Sequence, residues 1–226
     1  NPCDNSPEFG SEPFLIQCIG QDQVYNPGLI DNDKDKFGVK IDSFTYEWTQ
    51  PLQASGSPIA YTGQYTYDKP IYFWGFPYPN LPFPRGIHLD PQNGDILYRP
   101  MKAEITVMCV KINEFRKGIK IAEVRRDMLV VVTNCMGNYP PVVTTPNNIR
   151  SIAVCEGDTA KLDFSTSDMN PGDSLSLSWN NGIPGAQFIV NPGIHPTATF
   201  KWLATNNNNS SNPYTFTVTV KDNACP

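Results

Sequence analysis

Asp31, Asp33 and Asp35 stand at alternate positions and form the densest set of potential metal ligands in the chain. Alternate carboxylates in a loop converge on a hard cation, and calcium takes about six to eight oxygen ligands. No glycine and glutamate follow at the spacing of an EF-hand, so the expectation is a calcium site of another kind. A second loop, Asp168-Met-Asn-Pro-Gly-Asp173, offers Asp168 and Asp173 as a sparser set. Glu156, Asp158 and Asp222 are placed to assist it. The competing explanation of both loops is an Asx-rich turn, in which the side chain bonds its own backbone two residues on.

Aromatic residues crowd the stretch 61–83 among prolines and glycines. Tyr72, Trp74 and Tyr78 are its candidates for a ligand platform, because rigid rings stack on sugars or anchor a protein partner. The plainer alternative is a long loop folded over a sheet as a secondary core. Catalytic patterns are missing: there is no Gly-x-Ser-x-Gly elbow, phosphate loop or His-Glu-x-x-His. His88 and His195 fall in different halves, and Asp90 and Asp95 flank a Gln-Asn-Gly turn that explains them as well as paired-carboxylate chemistry does. The expectation is a protein that is not an enzyme.

Six cysteines are spread widely, at Cys3, Cys18, Cys109, Cys135, Cys155 and Cys225, with no C-x-x-C pair. With only 2 histidines, a structural zinc site is disfavoured and disulfides in an oxidising compartment are expected. Cys18 with Cys135, and Cys155 with Cys225, would each close a domain end to end. The alternative Cys18–Cys109 pairing would copy the cross-sheet bridge of immunoglobulin domains. Cys3 reads as part of a preceding repeat.

The elements that must position these residues are strands. The 226 residues include 22 prolines and 16 glycines, with 12% aromatic and only 17% charged residues. Proline is excluded from helix interiors and from central strands, so the composition favours short strands joined by loops. Leu175, Leu177 and Trp179 alternate with serines, and Tyr214, Phe216, Val218 and Val220 alternate with threonines, the period of a strand with one buried face. The net charge of −5 argues against nucleic acid. The one basic cluster, Arg116, Lys117, Lys120, Arg125 and Arg126, is interrupted by Glu123 and followed by Asp127. No apolar run approaches the ~20 residues of a membrane-spanning helix.

A boundary falls after the strand Met128-Leu-Val-Val-Val-Thr133, where Gly137-Asn-Tyr-Pro-Pro141 follows. The expected organisation is two tandem immunoglobulin- or cadherin-like β-sandwich domains, residues 1–137 and 138–226. Their parts recur in order: Leu15-Ile-Gln-Cys-Ile-Gly20 against Ile152-Ala-Val-Cys-Glu-Gly157, then an Asp-rich loop, then a strand ending in Trp48 or Trp179. The strand of residues 126–133 has no counterpart in the second domain, which is therefore expected to lack its last strand and to continue in the natural protein.

Several segments resemble the repeat regions of very large surface proteins from gliding Bacteroidetes. They are Tyr25-Asn-Pro-Gly-Leu-Ile-Asp-Asn-Asp-Lys-Asp35, Pro84-Arg-Gly-Ile-His-Leu-Asp-Pro-Gln-Asn-Gly-Asp-Ile-Leu-Tyr-Arg-Pro100, Asn113-Glu-Phe-Arg-Lys-Gly118, Arg125-Arg-Asp-Met-Leu129, Asn180-Asn-Gly-Ile-Pro-Gly185 and the stretch 214–226. Cys109 departs from that pattern. The resemblance implies a cell-surface adhesin of the SprB type, exported by type IX secretion and active in attachment and gliding. Its implied partners are neighbouring repeats of the same polypeptide, a surface polysaccharide or substratum, and the gliding and secretion machinery. A carbohydrate-binding module of a secreted glycan-processing protein is the alternative.

Overall fold

The structure is a computed structural model and describes residues 4–36, 40–73, 86–135, 137–205 and 213–224. In chain order its strands are β1 (Glu8–Phe9), β2 (Phe14–Cys18), β3 (Gln23–Tyr25), β4 (Leu29–Ile30), β5 (Asp42–Trp48), β6 (His88–Leu89), β7 (Ile96–Tyr98) and β8 (Glu104–Arg116). They continue as β9 (Ile119–Thr133), β10 (Val142–Thr144), β11 (Thr159–Ser167), β12 (Ser176–Trp179), β13 (Gln187–Asn191), β14 (Thr197–Leu203) and β15 (Val218–Lys221). Among the described residues the one helical piece is a 3-10 turn, Pro146–Asn148. The chain is all-β and forms β-sandwiches, as the proline-rich, alternating sequence demands.

Two compact units divide the chain. Ser11–Pro27 and Ser43–Gly137 make the first, called here the bridged unit; Asn1–Gly10, Gly28–Asp42 and Asn138–Cys225 make the second, the open unit. The excursion Gly28–Asp42 therefore packs with the later half of the chain, which reading the sequence as consecutive repeats does not anticipate.

In the bridged unit, one sheet has the order β2-β9-β8-β5 and the other β3-β7-β6. β2 runs parallel to β9, from Phe14 opposite Leu129 to Cys18 opposite Thr133. Met108, Val110 and Ile112 of β8 and Met128, Val130 and Val132 of β9 alternate inward, and all are 0–3% exposed. Ile96 and Tyr98 of β7, in the other sheet, are likewise 0% exposed. Burial of each such side chain contributes about 1.5–3 kcal/mol, which is why the alternation fixes the register. The hairpin between β8 and β9 closes on Lys117 and Gly118, both with positive φ (54° and 76°), the two-residue turn that suits strand twist.

In the open unit, β10-β11-β14-β13 form one sheet, β12-β15 a second, and β1-β4 a small two-stranded third. Ala160, Phe164, Leu177, Ile183, Ala198 and Phe200 are its buried cluster, with Trp179, Phe216, Val218 and Val220 packed partly buried against it. Phe200 stacks on Phe216 with ring centroids 4.3 Å apart. The long strand expected over 214–220 is shorter than its alternation: pairing covers only Val218–Lys221. Asn180 is the cause. Its backbone amide still donates to the Thr217 carbonyl at 3.1 Å, but its side-chain oxygen accepts the Gly182 and Thr217 amides at 3.1 and 3.0 Å, which turns the chain after Trp179 and removes the partner that residues 214–216 would need.

Candidate functional site

Cys18 and Cys135 form a disulfide, with Cα atoms 5.4 Å apart. The parallel pairing of β2 and β9 brings the two strand ends together, so the bridge follows from topology. Cys109 is buried and free, which closes the cross-sheet alternative. Burial, and then the neighbouring Asp127, pushes its thiol pKa up, so it is inert.

The expected bridge between Cys155 and Cys225 is not formed. Cys155 is exposed and free, and Cys225 lies outside the described residues. Cys155 precedes β11 at one end of the sandwich, whereas β15 leads to Asp222 beside Asp168 and Asp173 in the loop after β11, at the other end. The nine residues of β11 separate the two ends by about 30 Å. Cys155 matches Cys18 in place, but Cys225 follows β15, the counterpart of β8, where Cys135 follows β9.

Two carboxylate clusters lie in the open unit. In the first, Asp31, Asp33 and Asp42 bring oxygens within 4.8 Å of one another. Asp35 is exposed and stands apart from them; Asp42, the first residue of β5, takes its place. The loop makes an Asx turn, with the Asp33 amide donating to Asp31 Oδ1 at 3.0 Å. Asn5 donates to both oxygens of Asp33, at 3.2 and 2.7 Å. Burial raises the Asp31 pKa; the Asp33 amide opposes this, Asp42 and Asp33 add to it, and Lys40 offsets it. Burial in turn lowers the Lys40 pKa, against the pull of Asp31 and Asp42. A lysine already supplies positive charge here, so the cluster is partly neutralised from within.

The second cluster joins Asp168, Asp173 and Asp222, again within 4.8 Å. Asp168 and Asp173 come from the loop between β11 and β12, and Asp222 from just beyond β15. Asn170 donates its amide to Asp168 Oδ1 at 2.7 Å, while Asp168 Oδ2 is buried with no hydrogen-bond partner. The Asp222 pKa is raised, first by burial, with a hydrogen bond from Asn138 opposing and the Asp168 and Asp173 carboxylates adding to the rise. In this second cluster the Asp222 carboxyl therefore meets two like charges. The cluster's oxygen set fits a hard cation such as calcium. Glu156 and Asp158 are exposed and belong to neither cluster. Asp42 carried no sequence signal of its own, since it precedes the strand motif that ends in Trp48.

In the described part of the aromatic stretch Tyr67 is 45% exposed, while three other tyrosines are held by hydrogen bonds. Tyr61 donates its hydroxyl to the Val107 carbonyl at 2.6 Å, and Glu104 accepts the Tyr65 hydroxyl and the Tyr72 amide, the latter at 2.6 Å. Ile71 beside it is 2% exposed. This is loop packing over β8. Trp74 and Tyr78 lie outside the described residues. Asp90 and Asp95 also resolve into turn chemistry. Asp90 Oδ1 accepts the Gln92 and Asn93 amides, and Asp95 Oδ1 accepts from the Asn26 side chain at 2.8 Å.

No protein-family model and no curated protein matches this chain. Among solved structures, it is similar to a protocadherin gammaB7 EC3-6 cis-dimer at 13% identity and a TM-score of 0.29, covering 85% of this chain and 38% of that one. It is similar to a chimeric titin Z1Z2 at 8% and 0.28, covering 97% and 95%. The endo-fucoidan hydrolase MfFcnA4, of glycoside hydrolase family 107, gives 12% and 0.30, covering 98% and 28%. The chain thus spans well under half of the protocadherin and hydrolase chains. Likenesses this faint carry no argument about ligand or activity, and the fold rests on the strand order itself. No helix among the described residues is long and apolar enough to cross a membrane.

Proposed function

We propose that the chain is a non-enzymatic, load-bearing segment of an extracellular adhesive protein. The observation that carries this is the Cys18–Cys135 bridge across the parallel strands β2 and β9. Tension entering through β2 passes through the two sulfurs and leaves beyond Cys135, so the loop closed by a sequence separation of 117 residues bears none of it. A domain built this way transmits force without lengthening. Such wiring suits a spacer that is pulled more than a site that binds.

The resemblance to repeats of gliding-bacterium adhesins supplies the setting: a cell surface reached by type IX secretion, with gliding traction as the load. Calcium on Asp168, Asp173 and Asp222 stiffens one end of the open unit in this reading. Stretching single molecules tests the mechanics. The oxidised chain yields no extension from the bridged loop, whereas Cys18→Ser adds a step of roughly 400 Å, from 117 residues at ~3.5 Å each. An equal step in both would sink the load-bearing role. Antibodies to this chain on live source cells test the setting. Label moving along the cell supports gliding; label found only in the medium removes the surface assignment and leaves the carbohydrate-binding alternative, which a glycan array then decides.

A further inference from the structure

We propose that the open unit holds a strand slot, unfilled among the described residues, between β15 and residues 151–155, built for an extended donor strand of the β9 type that ends in a cysteine and bonds to Cys155. The bridged unit shows what such a slot looks like when filled. There β9 lies between β8 and β2, antiparallel to one and parallel to the other. Its end delivers Cys135 to Cys18.

The corresponding positions of the open unit are marked by matching hydrogen bonds. After Cys18, the Gly20 amide donates to the Pro100 carbonyl at 2.7 Å, just beyond β7; after Cys155, the Gly157 amide donates to the Ala204 carbonyl at 2.9 Å, just beyond β14. Both glycines have positive φ, 77° and 86°. Cys155 is therefore the positional counterpart of Cys18.

Both walls of the slot are open among the described residues. β15 pairs with β12 alone, and β10, which lies near it, pairs only with β11. Residues 151–155 pair with no described strand, and Ile152 and Val154 are 40% and 37% exposed. Of their counterparts, Leu15 is half-buried and Gln17 is covered to 6% exposure. Direction agrees too. β15 runs away from the Cys155 end, so an antiparallel donor runs back towards it and presents its terminal cysteine there.

The donor is an extended segment with apolar residues at alternate positions facing inward, as Met128, Val130 and Val132 do, and a cysteine shortly after the last of them. Bond formation joins the two sulfurs and releases two protons and two electrons. A low-molecular-weight disulfide accepts them and leaves as two thiols.

The test appends a second copy of residues 119–136 to the full 226-residue chain. Tethering gives an effective concentration on the order of millimolar, so weak affinity cannot mask the result. With oxidised glutathione present, Cys155 is expected to lose its reactivity to maleimide and to be found by mass spectrometry bonded to the appended cysteine. Backbone hydrogen exchange in Val218–Lys221 is expected to slow about tenfold or more. A copy carrying Val130→Asp and Val132→Asp should do neither. The proposal fails if the appended strand leaves Cys155 reactive and β15 exchange unchanged. It fails equally if Cys155 of the original chain pairs with Cys225 or with Cys155 of a second molecule.

Discussion

In the bridged unit the sixth strand, β8, buries Met108, Val110 and Ile112 to 0–1% exposure, flanked by β9 and β5. In the open unit its counterpart, β15, leaves Val218 and Val220 only half-buried, with β12 on one side and no described strand on the other. Both strands alternate apolar with other residues. Alternation chooses which face turns inward, but the neighbours on each edge decide how far water is kept from it. The same contrast holds for the cysteines, Cys18 bonded where β9 arrives and Cys155 free where no described strand does.

The largest expected effect breaks this comparison from the bridged side. Cys135→Ser opens a loop of 117 residues, which chain-entropy reasoning values at about 4–5 kcal/mol. Denaturant unfolding should show this loss in the bridged unit while the open unit's transition stays in place. Next comes the core. Ile112→Ala should cost about 2–5 kcal/mol, because its surroundings cannot collapse around the void. Val220→Ala should cost only about 1 kcal/mol, since the side chain is already partly hydrated. Equal losses at the two sites would erase the distinction between filled and vacant edges.

The smallest effect concerns charge. Burial, with Asp168 and Asp173 beside it, holds the folded pKa of Asp222 above its unfolded value. The folded state therefore binds the proton more tightly, and the stability this gives is full below the ordinary carboxylate range and lost as pH rises through the folded pKa. Without added cation, Asp222→Asn should raise the melting temperature of the open unit at pH 7 and leave it unchanged at pH 3. Calcium should stabilise the unaltered chain and not the variant. Calorimetry at both pH values, with and without calcium, reads this; a calcium response kept by Asp222→Asn would remove Asp222 from the ion's ligands.

Much of the fold was legible in the sequence because periodicity is local. Leu177 and Trp179, or Met128, Val130 and Val132, declare their face without knowledge of what covers it. The bridge between Cys18 and Cys135 was also within reach, since both cysteines border strands. What stayed hidden depends on contacts far apart in sequence. Asp42 replaces Asp35 beside Asp31 because the excursion Gly28–Asp42 folds back on itself, with Lys34 bridging to Lys40. Asn180 shortens β15 from 37 residues away, through one amide oxygen. The pairing of Cys155 was misjudged because sequence order does not say at which end of a sandwich a strand finishes.

The turn at Lys117 and Gly118 ends a ribbon that outruns its neighbours: β9 meets β2 only from Leu129 onward, and Ile119 and Ile121 near the tip are 70% and 41% exposed. The tip residues Lys117, Gly118, Ile119 and Lys120 are all exposed. Each doubling of a flexible loop there would cost only about 0.6 kcal/mol in closure entropy. In a protein assembled from copies of one unit, such a tip is where copies can drift apart. An insertion or a change of surface chemistry at the ribbon's end would leave the sandwich beneath intact.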